Sequence, residues 1–220
     1  MKGYLRGYYD TIAPFWNVLV VLGSLGAFPR LYRVAVDELR LRPGDTVVDV
    51  GCGSGLMFPY LTERVGAKGR VIGIDASEQM YAQARRRVQK AGWNNVDLHL
   101  SDAAGFLPEK PVDAVLFSIS LSSFESSDQV LIQAAQFLKP GGRLVVIDSF
   151  LNHGRWYFRL SNLYTQMKAR VVGSKLNNRI REAAQAHLES PRLKILHGGL
   201  YTMISGVAPA ARTAAHRRSG

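Results

Sequence analysis

Val47-Val48-Asp49-Val50-Gly51-Cys52-Gly53-Ser54-Gly55 is a short β-branched strand that carries one acid and runs straight into three glycines at alternate positions. Such a stretch reads as a strand-to-helix turn. Glycine suits it because the backbone must pass through conformations closed to residues with a Cβ, and because a ligand must approach the main chain closely. The apolar segment from Leu56 to Val65 is expected to be the helix that follows, with its unsatisfied N–H groups and positive dipole end aimed at a nucleotide-like ligand on the turn.

The spacing separates two ligand classes. A dinucleotide fingerprint, G-x-G-x-x-G, needs glycine at position 56, where this chain has Leu56; its third glycine is Gly55. The pattern G-x-G-x-G, with Asp49 ahead of it, resembles the signature loop of class I S-adenosylmethionine (SAM) dependent methyltransferases. Val71-Ile72-Gly73-Ile74-Asp75 is a second apolar strand that ends in a carboxylate 24 positions after Gly51, about where a second βα unit finishes. An acid at that tip can accept both ribose hydroxyls, and Ser77 with Glu78 supplies the capping chemistry for a helix from Glu78 to Ala91. In the family this segment, Asp75-Ala76 through Met80, binds ribose and packs the Met on adenine. The resemblance therefore implies cofactor contacts from Asp49, Gly51, Cys52, Gly53, Gly55, Asp75, Ala76 and Met80.

Further motifs follow in the same order. Val96-Asp97-Leu98-His99-Leu100 alternates as a strand and leads to Ser101-Asp102-Ala103. Asp102 resembles the family's acceptor for the adenine amino group, with Ala103 beside it; an Asx-turn is the competing reading. Pro111 to Ser118 reads as a buried strand, whose tip at Ser118 faces the methyl group in the implied fold. That tip lacks the Asn/Asp-Pro-Pro-aromatic run of enzymes that methylate nucleobase amines. Leu131 to Leu138 reads as a helix, and Leu138-Lys139-Pro140-Gly141-Gly142 resembles the family's turn into the fifth strand. Leu193–Leu196 and Leu200–Ser205, around His197-Gly198-Gly199, give a hairpin. The implied fold class is α/β: a single doubly wound, Rossmann-like, mostly parallel seven-stranded sheet with a C-terminal antiparallel hairpin. It forms one domain over residues 1–207, with an unstructured Ala/Arg-rich tail at 208–220.

Composition agrees with one α/β domain: 220 residues, 47% hydrophobic and 20% charged. The single Cys excludes an internal disulfide and a dithiol mechanism, and suggests a reducing compartment. The scattered His residues and lack of an acidic cluster give no metal site. Net charge is +11, yet residues 151–220 hold twelve Lys or Arg against two acids, Glu182 and Glu189. The first 150 residues are nearly neutral, and a basic helical insertion at 151–189, rich in aromatics, suits an anionic partner. Residues 1–40 read as a helical lid, an interfacial helix or core; the apolar run from Ile12 to Phe28 is 17 residues long and broken by Pro14, Gly23 and Gly26, too broken to span a bilayer. Leu31, Val34, Ala35 and Glu38 fall on one face of a helix that Pro43-Gly44-Asp45 ends. Tyr8-Tyr9-Asp10 resembles a Tyr-Asp element in the ubiquinone-biosynthesis and phospholipid N-methyltransferase groups, where a tyrosine closes over SAM; Tyr9 joins the cofactor set on that ground.

The expected function is transfer of a methyl group from SAM, leaving S-adenosylhomocysteine, to a lipid or lipid-like acceptor, most specifically a phospholipid amine. A quinone-like ring or other small molecule is the alternative acceptor, and a SAM-binding or nucleic-acid-binding module is the non-enzyme alternative. The expected setting is cytoplasmic, peripheral on an anionic membrane. Methyl transfer from a sulfonium needs positioning and exclusion of water more than a strong base. Tyr9, His153 and Tyr164 are candidate proton acceptors, and the sequence assigns the role to none of them.

Overall fold

The computed structural model describes residues 28–152, 154, 156–172 and 179–210. Tyr9 and His153 lie outside them. Helix α1 (Phe28–Leu39) precedes alternating elements β1 (Thr46–Val50), α2 (Phe58–Val65), β2 (Arg70–Asp75), α3 (Glu78–Ala91), β3 (Val96–Leu100) and β4 (Val112–Ser118). Then come α4 (Ser127–Ala135), β5 (Leu138–Asp148), α5 (Phe158–Val172), α6 (Arg179–His187), β6 (Glu189–Leu196) and β7 (Tyr201–Val207).

The strands form one seven-stranded sheet in the order β3-β2-β1-β4-β5-β7-β6. The first five are parallel, and β7 runs antiparallel to both β5 and β6. The central strands are apolar on both faces because helices cover both faces. Val48, Val50, Val115, Leu144 and Val146 pack with α4 and α6; Val47, Val71, Leu116, Val145 and Ile147 pack with α1, α2 and α3. Strand order reverses between β1 and β4, and in a doubly wound sheet a ligand binds at the C-terminal end of that switch point.

Three expected boundaries and one helix face move. Helix α2 begins at Phe58 rather than Leu56, because Gly53 to Met57 stay in turns and Pro59 starts the helix without needing its N–H. The fourth helix runs from Ser127 to Ala135, not from Leu131 to Leu138, because Leu138 already pairs with Val112 in the sheet. Ala208 is 4% exposed, accepts from Gly141 N–H at 3.1 Å and donates to Gly142 O at 2.8 Å, so ordered chain continues past residue 207. On α1 the buried stripe is Phe28, Leu31, Tyr32, Ala35, Val36 and Leu39, so Val34 and Glu38 are not its centre.

Glu38 has another task. Its Oε1 accepts from Arg143 Nη2 on β5 at 2.7 Å and from Ser205 Oγ on β7 at 2.9 Å, while Arg143 Nε reaches the Glu38 carbonyl at 2.8 Å. The helix is thereby tied to the sheet where parallel pairing gives way to antiparallel. Both side chains are mostly shielded, so removing one leaves a desolvated partner. Glu38→Ala is expected to lower unfolding free energy by about 1–3 kcal/mol in urea titrations, and Glu38→Gln by less.

Candidate active site

Peptide N–H groups hold the glycine loop to β2. Gly51 and Cys52 both donate to the Ile74 carbonyl, at 2.8 and 2.9 Å. Gly53 N–H donates to Asp75 Oδ2 at 2.8 Å, and Ser77 N–H donates to Asp75 Oδ1 at 2.8 Å. Asp75 thus joins the loop to the start of α3, where Ser77 Oγ accepts from Met80 N–H at 3.2 Å as an N-cap. From the same helix Arg87 Nε donates to the Ser54 carbonyl at 2.8 Å. Gly51 has φ +71°, and a Cβ there would stand 2.6 Å from Ser120 Cβ. The close approach has a purpose: Ser120 Oγ donates to the Val50 carbonyl at 2.6 Å, closing the β4 tip on the β1 tip. Ile119, just before it, sits at φ +55°, an unfavourable conformation for a β-branched residue.

Asp49 lies beneath this loop and is fully buried, and both its carboxylate oxygens lack a hydrogen-bond partner among the described residues. Burial, reinforced by the nearby Asp75 carboxylate, pushes its pKa up to about 8. The same causes raise the Cys52 thiol: burial first, then Asp75 and Asp49. Tyr32 on α1 is also held protonated, by burial first and then by Asp49. The loop is therefore a glycine cradle over two acids, one of them without a partner among the described residues. That donor set fits a cationic ligand, and the sulfonium and ammonium groups of SAM are cations.

The structure brings together Asp49, Gly51, Cys52, Gly53, Gly55, Asp75 and Ala76 at the ends of β1 and β2, with Ser118 at the end of β4. Met80 is 2% exposed in the first turn of α3. Asp102 and Ala103 follow β3: Asp102 Oδ1 accepts from Ala104 N–H at 3.1 Å and caps a single 3₁₀ turn, so the Asx-turn reading is realised there. Tyr164 lies on α5 and is 41% exposed.

Sequence reasoning passed over several residues. Arg87 belongs to a run, Arg85-Arg86-Arg87, that looks like a solvated helix face, and no local signal singles it out. Ser120 gains its role only from the approach of β4 to β1. Asp148, at the end of β5, is 1% exposed and accepts from Ser122 N–H at 2.8 Å, Ser122 Oγ at 3.1 Å and Ser149 N–H at 2.7 Å. An acid that closes an apolar run is a legible local signal, whereas its Ser122 partner comes from the β4 exit and is set by the fold.

Residues 47–142 match the family described as a methyltransferase domain. Over that stretch the chain is similar to methyltransferase domains. It is 30% identical over 148 residues to a demethylmenaquinone methyltransferase of Symbiobacterium thermophilum, covering 66% of this chain and 59% of that protein. To a 2-phytyl-1,4-naphtoquinone methyltransferase of Synechococcus elongatus it is 34% identical over 146 residues, covering 66% and 63%. The matches thus span less than two thirds of those relatives. Among solved structures, a SAM-dependent methyltransferase from Aquifex aeolicus has TM-score 0.59 at 24% identity, covering 80% of this chain and 89% of its own. Phospholethanolamine N-methyltransferase 2 of Haemonchus contortus has TM-score 0.68 at 16% identity, covering 82% and 52%. The two structures share the fold with this chain.

A buried acid with a raised pKa opposes folding when it ionises. Native Asp49 keeps its proton up to about pH 8, whereas in the unfolded chain it loses it near the ordinary value of 3.8. The native state therefore binds more protons between these values, and stability falls as pH rises through that window, on the order of 1.4 kcal/mol per pH unit from this group. Asp49→Asn removes the penalty. Without ligand, the variant is expected to gain on the wild type progressively from pH 5 to pH 8, read by chemical denaturation at each pH.

Proposed function

We propose that the protein transfers a methyl group from SAM to a lipid-like acceptor whose reacting part is a quinone-type ring. The unpartnered carboxylate of Asp49 under the glycine loop is the observation that carries the cofactor half of this reading. The acceptor half is supported by the relatives at 30% and 34% identity, whose names specify demethylmenaquinone and a phytyl naphthoquinone. A phospholipid amine acceptor has support only from a fold neighbour at 16% identity, so it ranks second.

In this reading the Gly51–Gly55 backbone and Asp49 receive the amino-acid end of SAM, and Asp75 and Ala76 receive the ribose. Met80, Asp102 and Ala103 border the adenine, and Ser118 stands near the methyl group. Bound SAM supplies the electrophilic methyl. The chain orients donor and acceptor and keeps water away. Asp49 gives up its proton when a cationic group pairs with it, so binding becomes tighter from pH 6 to pH 8. Tyr9 and His153 lie outside the described residues, and no proton acceptor is assigned.

Calorimetry is expected to give binding of SAM and S-adenosylhomocysteine and none of NAD, because Leu56 occupies the place of the dinucleotide glycine. NAD binding tighter than S-adenosylhomocysteine overturns the reading. Asp75→Ala is expected to weaken S-adenosylhomocysteine by about 1.5–3 kcal/mol, through both the ribose contacts and the lost tether on Gly53.

Acceptor class is tested with methyl-labelled SAM and detergent-dispersed prenylated naphthoquinol, prenylated benzoquinol and phosphatidylethanolamine. Label in a quinol is the expected result. Label confined to phosphatidylethanolamine moves the acceptor to the phospholipid amine.

A further inference from the structure

Helix α5 presents apolar side chains on two opposite sides. Phe158, Ser161, Thr165 and Ala169 form the inner side, all buried. Phe158 and Ser161 seat on Gly199, where an added Cβ would lie 2.7 Å from Phe158 Cδ1 and 2.8 Å from Ser161 Oγ. The outer side is Leu160, Leu163, Tyr164 and Met167, preceded by Trp156 and Tyr157, and all six are exposed, Leu160 at 73% and Trp156 at 80%. At about 100° per residue these positions make one continuous stripe roughly a quarter to a third of the helix circumference wide. Exposed Arg159 and Arg170 fall along one border of the stripe.

We propose that this stripe is the face by which the protein docks on an anionic phospholipid bilayer. The proposal rests on the lipid-like acceptor reading and names the surface from which such an acceptor is reached. A contiguous apolar patch rimmed by cations matches an interface of acyl chains beneath anionic headgroups. The inner face is already anchored to the protein, so the outer face inserts without the cost of ordering a free helix.

Charge selects the bilayer over a second copy. A two-fold pairing of stripes sets Arg159 and Arg170 against the same basic surface, and residues 151–220 carry twelve basic residues against two acids. An anionic surface gains from the same charges. Helix α5 is 15 residues, about 22 Å long, and among the described residues no helix is long and apolar enough to cross a membrane. The contact is therefore a helix lying in the surface. Helix α5 also neighbours the sheet end that carries Asp148: Phe158 and Ser161 seat on Gly199, just before β7, and β7 pairs with β5 at Asp148 through Thr202.

The test uses the full chain with vesicles of phosphatidylglycerol and phosphatidylcholine in equal parts, and with phosphatidylcholine alone. The expected result is co-sedimentation with the anionic vesicles, weakened by salt, and a blue shift of tryptophan emission that Trp156→Phe removes. Leu160→Ser with Leu163→Ser is expected to lower partitioning about tenfold per leucine. Arg159→Gln with Arg170→Gln is expected to lower it roughly fivefold per arginine. Thermal midpoint and S-adenosylhomocysteine affinity stay unchanged in both variants, which establishes that they are folded. Equal partitioning of the leucine variant and the wild type overturns the proposal. So does equal binding to neutral vesicles, or a vesicle-free Trp156 already blue-shifted and shielded from acrylamide by another part of the chain. A dimer that the leucine variant dissociates also overturns it, in favour of a second copy. Turnover of detergent-dispersed quinol without vesicle binding removes the docking face and leaves the function; vesicle binding without turnover of any acceptor removes the function and leaves the face.

Discussion

The carboxylate of Asp75 receives two backbone N–H groups, one from Gly53 in the glycine loop and one from Ser77 at the head of α3. Charge-assisted bonds of this kind are roughly twice as strong as neutral ones. They join the tips of the first two βα units, so the loop's shape is set by the strand that follows it. With Ile74 O accepting from Gly51 and Cys52 N–H, and Ser54 O accepting from Arg87 Nε, the loop is fixed before a ligand arrives. Pre-organisation of this sort lowers the ordering cost of binding.

This fixed loop imposes a cost beneath it. Asp49 is driven into the sheet by its neighbours in β1, Val47, Val48 and Val50, and receives no donor among the described residues. A natural core would place a hydrophobe there. The acid makes sense as part of a binding site, where stability is given up for a charge that only a cationic ligand satisfies. The strained Ile119 and the close contact of Gly51 with Ser120 lie at the same switch point. Strain, an orphaned acid and a glycine cradle thus coincide, as expected when the fold is over-determined elsewhere by its packed sheet.

The periphery follows a different logic. Helix α1 and the α5–α6 region sit at the two ends of the parallel core's sequence, and polar hubs hold each in place. Glu38 joins α1 to β5 and β7 through Arg143 and Ser205. Asn152 accepts from Arg181 Nη2 at 2.9 Å and Thr202 Oγ1 at 3.2 Å and donates to the Gly199 carbonyl at 2.9 Å, gathering the β5 exit, α6 and β7. These groups are shielded and fully engaged, so they fix geometry rather than add much net stability.

Local chemistry made much of this legible. The strand-and-glycine pattern at 47–55, the acid that ends β2 at Asp75, the cap at Ser77 and the hairpin around His197-Gly198-Gly199 are encoded within a few residues, and each element stands where the sequence puts it. The start of α2 and the end of α4 were misplaced because turn geometry and pairing with a distant strand, Val112 with Leu138, decide them. Glu38 was read as part of a helix face because its partners lie 105 and 167 residues away. The orphaned state of Asp49 and the outward stripe of α5 are likewise properties of surroundings. By itself the sequence determined the fold class and the loop, since those depend on period and on backbone freedom. Only the tertiary structure decided which acid lacks a partner among the described residues and which apolar side chains face outward, because burial is a sum over neighbours far apart in the chain.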